Sequence, residues 1–148
     1  MQDKPTSTEL LEAIQDFLMK EIMPTVKDKD LLSFKTLISW NMLGVIIREI
    51  KQEEPLLSKE FSSIIPLLGE KEKNLLSQNP KLSNFNLNSP DLSELSLIEK
   101  KEILLKANEL LAKTIREEKN LPSNKEVYHH IMETLKDKLS ISNPRYGL

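Results

Sequence analysis

No cysteine occurs in this chain of 148 residues. Disulfides, thiolate metal sites and thiol nucleophiles are therefore excluded, and the absence fits a reducing compartment. Three glycines leave little room for a phosphate-cradling loop, and neither G-x-G-x-x-G nor a P-loop is present. Basic residues are not in excess: Lys plus Arg number 21 against 23 Asp plus Glu, a formal net charge of -2. A nucleic-acid surface calls for a basic face, whereas the lysines here alternate with glutamates in KEKN, IEKKE and REEKN, the pattern of solvated helix faces. No uninterrupted apolar run reaches the ~18 residues of a membrane span. The opening MQDKPTSTELLEAIQDFL carries acidic residues where a signal peptide needs a basic start. These absences point to a cytoplasmic protein with no nucleic-acid or membrane partner. Its length is that of one domain, residues 1–148, able to bury about 68–70% of the surface of its unfolded chain.

What is present is helical. Leu31 to Ile50, extended to about Glu54, is apolar almost all round: Leu31, Phe34, Ile38, Met42 and Val45 line one side, and Leu32, Leu43, Ile46, Ile47 and Ile50 much of the other. Such a helix is expected to be central, with neighbours on several sides. Before it, Thr6-Ser-Thr-Glu9 forms a capping box, followed by Leu10, Leu11, Ile14, Phe17, Leu18 and Ile22 at helical spacing until Pro24 ends the helix near Met23. Asp28 or Asp30 should cap the central helix. After it, residues 55–69 read as a short helical piece on Leu57, Phe61, Ile64 and Ile65, interrupted by Pro66 and ended by Gly69, with a further turn or two over Glu70 to Ser77.

The Asn-, Ser- and Pro-rich stretch from about Gln78 to Asp91 reads as a long surface loop pinned by Leu82, Phe85 and Leu87. A second capping box, Ser96 to Glu99, marks a helix running from about Asp91 or Leu97 to Lys119 with Ile98, Leu104, Leu105, Ala107, Leu111, Ala112 and Ile115 as its apolar face. Ser123 to Glu126 opens the last, carrying Val127, Ile131, Leu135 and Leu139 and ended by Asn143-Pro144. The expected fold is all-α, an antiparallel bundle of four main helices with one or two short extra helices and one long loop.

Chemistry-bearing constellations are sparse. Glu126-Val-Tyr-His129 matches the Glu-x-x-His element of di-iron bundles, but His129 and His130 are the only histidines, so no second copy completes the set, and the metal reading left is a mononuclear site using His129 or His130 with Glu133. No serine lies in a G-x-S-x-G turn, and the carboxylate pairs Glu53-Glu54 and Glu117-Glu118 are consecutive and so point apart on a helix. No catalytic residue and no cofactor is expected. Asn41 and Arg48 lie on one face of the central helix and must reach solvent or find partners. Either Arg48 pairs with a carboxylate or with the C-terminal carbonyls of a neighbouring helix while Asn41 bonds backbone, or the two line a groove for a partner segment or an anionic ligand. Arg145 and Tyr146 sit in a proline-fixed tail suited to docking.

Met1 to Thr6 followed by Glu9-Leu10-Leu11, then Phe34 through Asn41 to Arg48-Glu49, Asn108 with Ile115-Arg116, and Lys138-Leu139-x-Ile141-x-Asn143-Pro144-Arg145-Tyr146 resemble the small bacterial family called domain of unknown function 6285. The resemblance implies a non-catalytic accessory partner of an aminoglycoside-phosphotransferase-type kinase acting on hydroxyacyl-CoA compounds in hydroxy acid catabolism. It adds Asn108, Arg116 and Asn143 to Asn41, Arg48, Arg145 and Tyr146 as binding candidates. Trp40 and Met42 depart from the small residues the family tends to carry beside this asparagine. Two other readings stay open. One is a bundle that itself holds an acyl or acyl-CoA group, with Arg48 or Arg116 at the anionic end; the other is a helical module that associates with itself as a homodimer.

Overall fold

The computed structural model describes residues 4–78, 92, 95–117 and 124–146. It is all-α, with no strand among the described residues. In chain order the helices are α1 (Ser7–Phe17), α2 (Met23–Val26), α3 (Asp30–Ile64), α4 (Glu70–Ser77), α5 (Leu97–Glu117) and α6 (Lys125–Ser142). The loop expected at 78–91 lies outside the described residues beyond Gln78, as do Leu121, Pro122 and Ser123.

The described residues form two compact units. One comprises Met1–Glu53 with Ser140–Tyr146, the other Glu54–Leu139. Helix α3 runs through the division.

In the first unit the capping box forms as its residue types dictate: Thr6 N–H donates to Glu9 at 2.6 Å and Glu9 N–H donates to the Thr6 hydroxyl at 3.3 Å. Pro24 does not end the helix near Met23. Proline lacks an N–H and crowds the carbonyl four residues back. The backbone answers by widening into a π-helical turn over Leu18–Ile22, with Met23 N–H reaching Leu18 O, and helical structure continues to Val26. The Lys29 carbonyl takes the first bonds of α3, from Leu32 and Ser33 N–H at 2.9 Å each, so neither Asp28 nor Asp30 is its cap.

Leu11 and Gln15 of α1 and Leu18 of the π-helical turn are half-buried, and two side-chain bonds tie α1 to α3. Gln15 Nε2 donates to Trp40 O at 3.0 Å, and Lys51 Nζ pairs with Glu12 at 2.6 Å. Buried Gly44 permits the approach: a Cβ there would lie 3.0 Å from Gln15 Nε2 and 3.2 Å from Arg48 Nη1. Leu10, Ile14 and Phe17 remain exposed. So do Leu31, Phe34, Ile38, Met42, Ile46 and Ile50. The expectation that Leu31 to Ile50 is enclosed on several sides is therefore corrected. Only Gly44 and Ile47 of that stretch are buried, and among the described residues its side-chain bonds to other elements go to α1 and to Ile141. By length and composition Asp30–Leu67 is also long and apolar enough to cross a membrane, which a test for uninterrupted runs misses because Lys35 and Arg48 divide it.

The second unit holds the core. Phe61, Ile64, Ile65, Leu68, Leu76, Leu92, Ile103, Leu104, Ala107, Leu110 and Leu111 form one buried cluster. The break expected at Pro55 is absent, since α3 runs unbroken to Ile64. Pro55 cannot bond the Lys51 carbonyl, but both residues are exposed, so water can serve that oxygen. Gly69 is the N-cap of α4, with φ -70° and ψ 167°, rather than the left-handed end of the preceding helix.

On α5 the Ser96 to Glu99 box is present, with Glu99 accepting from Ser96 N–H at 2.9 Å and its own N–H donating to the Ser96 hydroxyl at 3.4 Å. The buried face uses Ile103 and Leu110 in place of the expected Ile98 and Leu105, which are exposed. On α6, Val127 is buried but Ile131 and Leu135 are exposed, and Asn124 caps the helix by accepting from Glu126 N–H at 2.8 Å. Lys100 is 3% exposed and ion-paired with Glu54.

Candidate functional site

Four of the seven residues singled out in the sequence meet in the first unit. Asn41 and Arg48 lie two turns apart on α3, and Asn143 and Arg145 follow the end of α6, where Pro144–Tyr146 makes a 3₁₀ turn closed by Tyr146 N–H to Asn143 O at 3.0 Å. Together with Trp40, Val45, Ser142 and Pro144 they line a cavity of about 350 Å³. No carboxylate is among the lining residues, while two guanidinium groups and two carboxamides are.

Arg48 has a structural duty. Its Nε donates to Ile141 O at 2.7 Å, satisfying a carbonyl in the last turn of α6 that has no partner within the helix. Asn41 Nδ2 donates to Leu37 O one turn back at 3.1 Å. Of the readings open for these two residues, backbone bonding thus holds for both. It occupies the Nε of Arg48, a residue that also lines the cavity. Arg145 and Tyr146 are exposed beside it, and Arg145 has no ion-pair partner among the described residues.

The other two candidates lie in the second unit. Asn108 Nδ2 donates to Glu60 Oε1 at 3.0 Å and to Leu104 O at 3.1 Å. Arg116 is exposed in the last turn of α5, a favourable place for a cation.

Glu60 went unmentioned in the sequence reading, yet it is the polar centre of this unit. Only 5% exposed, its Oε1 accepts from both Asn108 and Lys138 Nζ, each at 3.0 Å, which ties α3 to α5 and α6. Its one sequence signal was its place directly before Phe61 on an apolar face, where a carboxylate needs partners. Next to it Ser63 Oγ donates to Glu60 O at 2.9 Å and lies 2.8 Å from Nδ1 of buried His130. A hydroxyl has one proton. With that proton committed to the carbonyl, His130 Nδ1–H is the donor to Ser63, the reverse of the arrangement in which a histidine base activates a serine. His129 is exposed, and among the described residues no three His, Asp or Glu side chains converge as a metal site.

Burial lowers the His130 pKa from its ordinary value, against the opposing pull of the Glu60 carboxylate and with a smaller push from Lys138. The unfolded chain then binds a proton that the folded chain refuses. Stability is expected to be unaffected by this group above about pH 6.5 and to fall as pH drops from there towards the folded-state pKa. Thermal unfolding across this range should show the slope in the parent chain and a shallower one in His130→Gln. Equal slopes would mean that other groups carry the dependence.

A family model described as "Domain of unknown function (DUF6285)" matches residues 27–146. The chain belongs to this family. The family match takes in Asn41, Arg48, Asn108, Arg116 and the closing string through Tyr146, whereas the opening string Met1 to Thr6 and Glu9 to Leu11 lies before it. No curated protein matches the chain. No solved structure does either. The family region includes the cavity-lining residues Trp40 to Arg48 and Ser142 to Arg145, and all of α3 to α6.

Proposed function

We propose that this family member is a non-catalytic, cytoplasmic interaction subunit that needs no cofactor. Its partner, on the strength of the family resemblance, is a phosphotransferase-type kinase acting on hydroxyacyl-CoA in hydroxy acid catabolism. The observation that carries the reading is the meeting of Asn41, Arg48, Asn143 and Arg145 around one open cavity that no carboxylate lines. A donor-rich recess of this kind suits an acidic side chain or a chain terminus of a partner, since guanidinium groups pair with carboxylates through two parallel bonds. Exposed Tyr146, the residue after Arg145, has the amphipathic character of an interface anchor.

The acyl-CoA reading finds some support in Arg48, though Arg116 does not line the cavity, and about 350 Å³ is at the lower end for a drug-sized ligand and suits one anionic group better than a whole acyl-CoA.

The test is co-purification with the kinase, followed by titration with Arg145→Glu and Tyr146→Ala. Both residues are exposed, so far-UV circular dichroism should be unchanged. Each variant should weaken binding at least about tenfold, ~1.4 kcal/mol. Wild-type affinity in both would overturn the site assignment. Saturable binding of acyl-CoA by the isolated chain, with no kinase retained, would move the assignment to the ligand reading.

A further inference from the structure

The exposed apolar stripe of α3 is a different surface from this cavity, and seven of its residues between Phe34 and Ile50 are arranged symmetrically about Met42. Four residues to either side stand Ile38 and Ile46; seven to either side, Lys35 and Glu49; eight to either side, Phe34 and Ile50. All seven residues, Met42 included, are exposed. At about 100° per residue the stripe spans one side of the helix, and Asn41 and Arg48 sit roughly a quarter-turn or more away from its centre. Lys35 and Glu49 are the charges within the stripe, and neither has an ion-pair partner among the described residues.

We infer that this stripe is the interface of a two-fold symmetric homodimer in which α3 packs antiparallel on α3 of a second copy, with the axis passing at Met42. A two-fold interface must be complementary to itself. Turning α3 about Met42 lays Ile38 against Ile46, Phe34 against Ile50, and Lys35 against Glu49, each apolar group on another and each charge on its opposite. Parallel pairing would instead set Lys35 on Lys35 and Glu49 on Glu49, which is repulsive. Lipid as the occupant would cover the apolar groups but leave these two charges desolvated and without partners. The pattern therefore selects a second copy. This inference does not rest on the kinase reading, because that reading uses the cavity face and this one the stripe.

Sedimentation equilibrium of the full chain should give twice the mass of one chain. Lys35→Glu and Glu49→Lys should each weaken the dimer at least about tenfold, and the two together should restore it to within about threefold of the parent. Met42→Cys creates the only thiol in the chain. Mild oxidation should link it across the axis as a covalent dimer, while Phe17→Cys, also exposed but on α1, should not cross-link. A parent chain that stays monomeric at ~100 µM, well above the micromolar dissociation constants of weak interfaces, would overturn the inference. So would a dimer that the double charge reversal fails to restore or that Met42→Cys fails to trap. A monomer that floats with phosphatidylglycerol-containing vesicles would overturn it in favour of lipid.

Discussion

Phe61→Ala is expected to lower stability by about 3–5 kcal/mol, the range for removing a buried aromatic side chain and leaving a cavity behind. Phe61 is 1% exposed in the buried cluster that α3 shares with α4 and α5, whose other members include fully buried Ile64, Leu76 and Ile103. Neighbours so tightly packed can collapse only partly into the space. Phe34, on the same helix, is 60% exposed. Phe34→Ala should change stability by no more than about 0.5 kcal/mol at high dilution, and its effect should grow with protein concentration if the stripe is covered by a second copy. Urea titrations followed by far-UV circular dichroism at two protein concentrations separate the two cases. A small, concentration-dependent loss for Phe61→Ala would contradict the division of α3 into a core half and an exposed half.

Arg48→Ala should cost about 1–3 kcal/mol, because it leaves the Ile141 carbonyl, in a residue that is itself buried, without the donor that satisfies it. Arg48→Lys should recover little of this. A lysine keeps the charge but not the planar guanidinium whose Nε–H reaches the carbonyl. The only tryptophan, Trp40, lines the same cavity, so its fluorescence reports on this unit. Full recovery by lysine would mean that charge near the end of α6, rather than the hydrogen bond, is what Arg48 supplies.

Local chemistry was the legible part of the chain. The boxes at Thr6 to Glu9 and Ser96 to Glu99 form as their spacing requires, because a cap is decided within four residues. Asn143-Pro144 marks the end of α6 for the same reason. The breaks expected at Pro24 and Pro55 failed because proline removes one bond, and a π-helical turn in one case and open exposure in the other absorb that loss.

Hydropathy misplaced the centre of the fold. It measures how apolar Leu31 to Ile50 is and carries no information on whether the covering surface belongs to the same chain. On α5 and α6 the apolar residues were found, yet neighbours on the helix were assigned the wrong side, as with Ile98 for Ile103 and Leu105 for Leu110. At the candidate site the kind of partner Arg48 would find was readable, since an arginine on an apolar helix needs an acceptor. That the acceptor is Ile141, 93 residues away, depends on tertiary packing. Glu60 was overlooked because its partners, Asn108 and Lys138, lie 48 and 78 residues further along.

The lysine buried against Glu54 bears on the chemical modification of this chain. An amine attacks an acyl donor only when the reagent can reach it, and Lys100 is 3% exposed while Lys20, Lys51, Lys59, Lys106 and Lys113 project into solvent. In the folded protein Lys100 is shielded from acylating reagents and from lysine acetyltransferases alike. Its labelling therefore tracks the opening of the second unit, and the exposed lysines of the same molecule provide the reference.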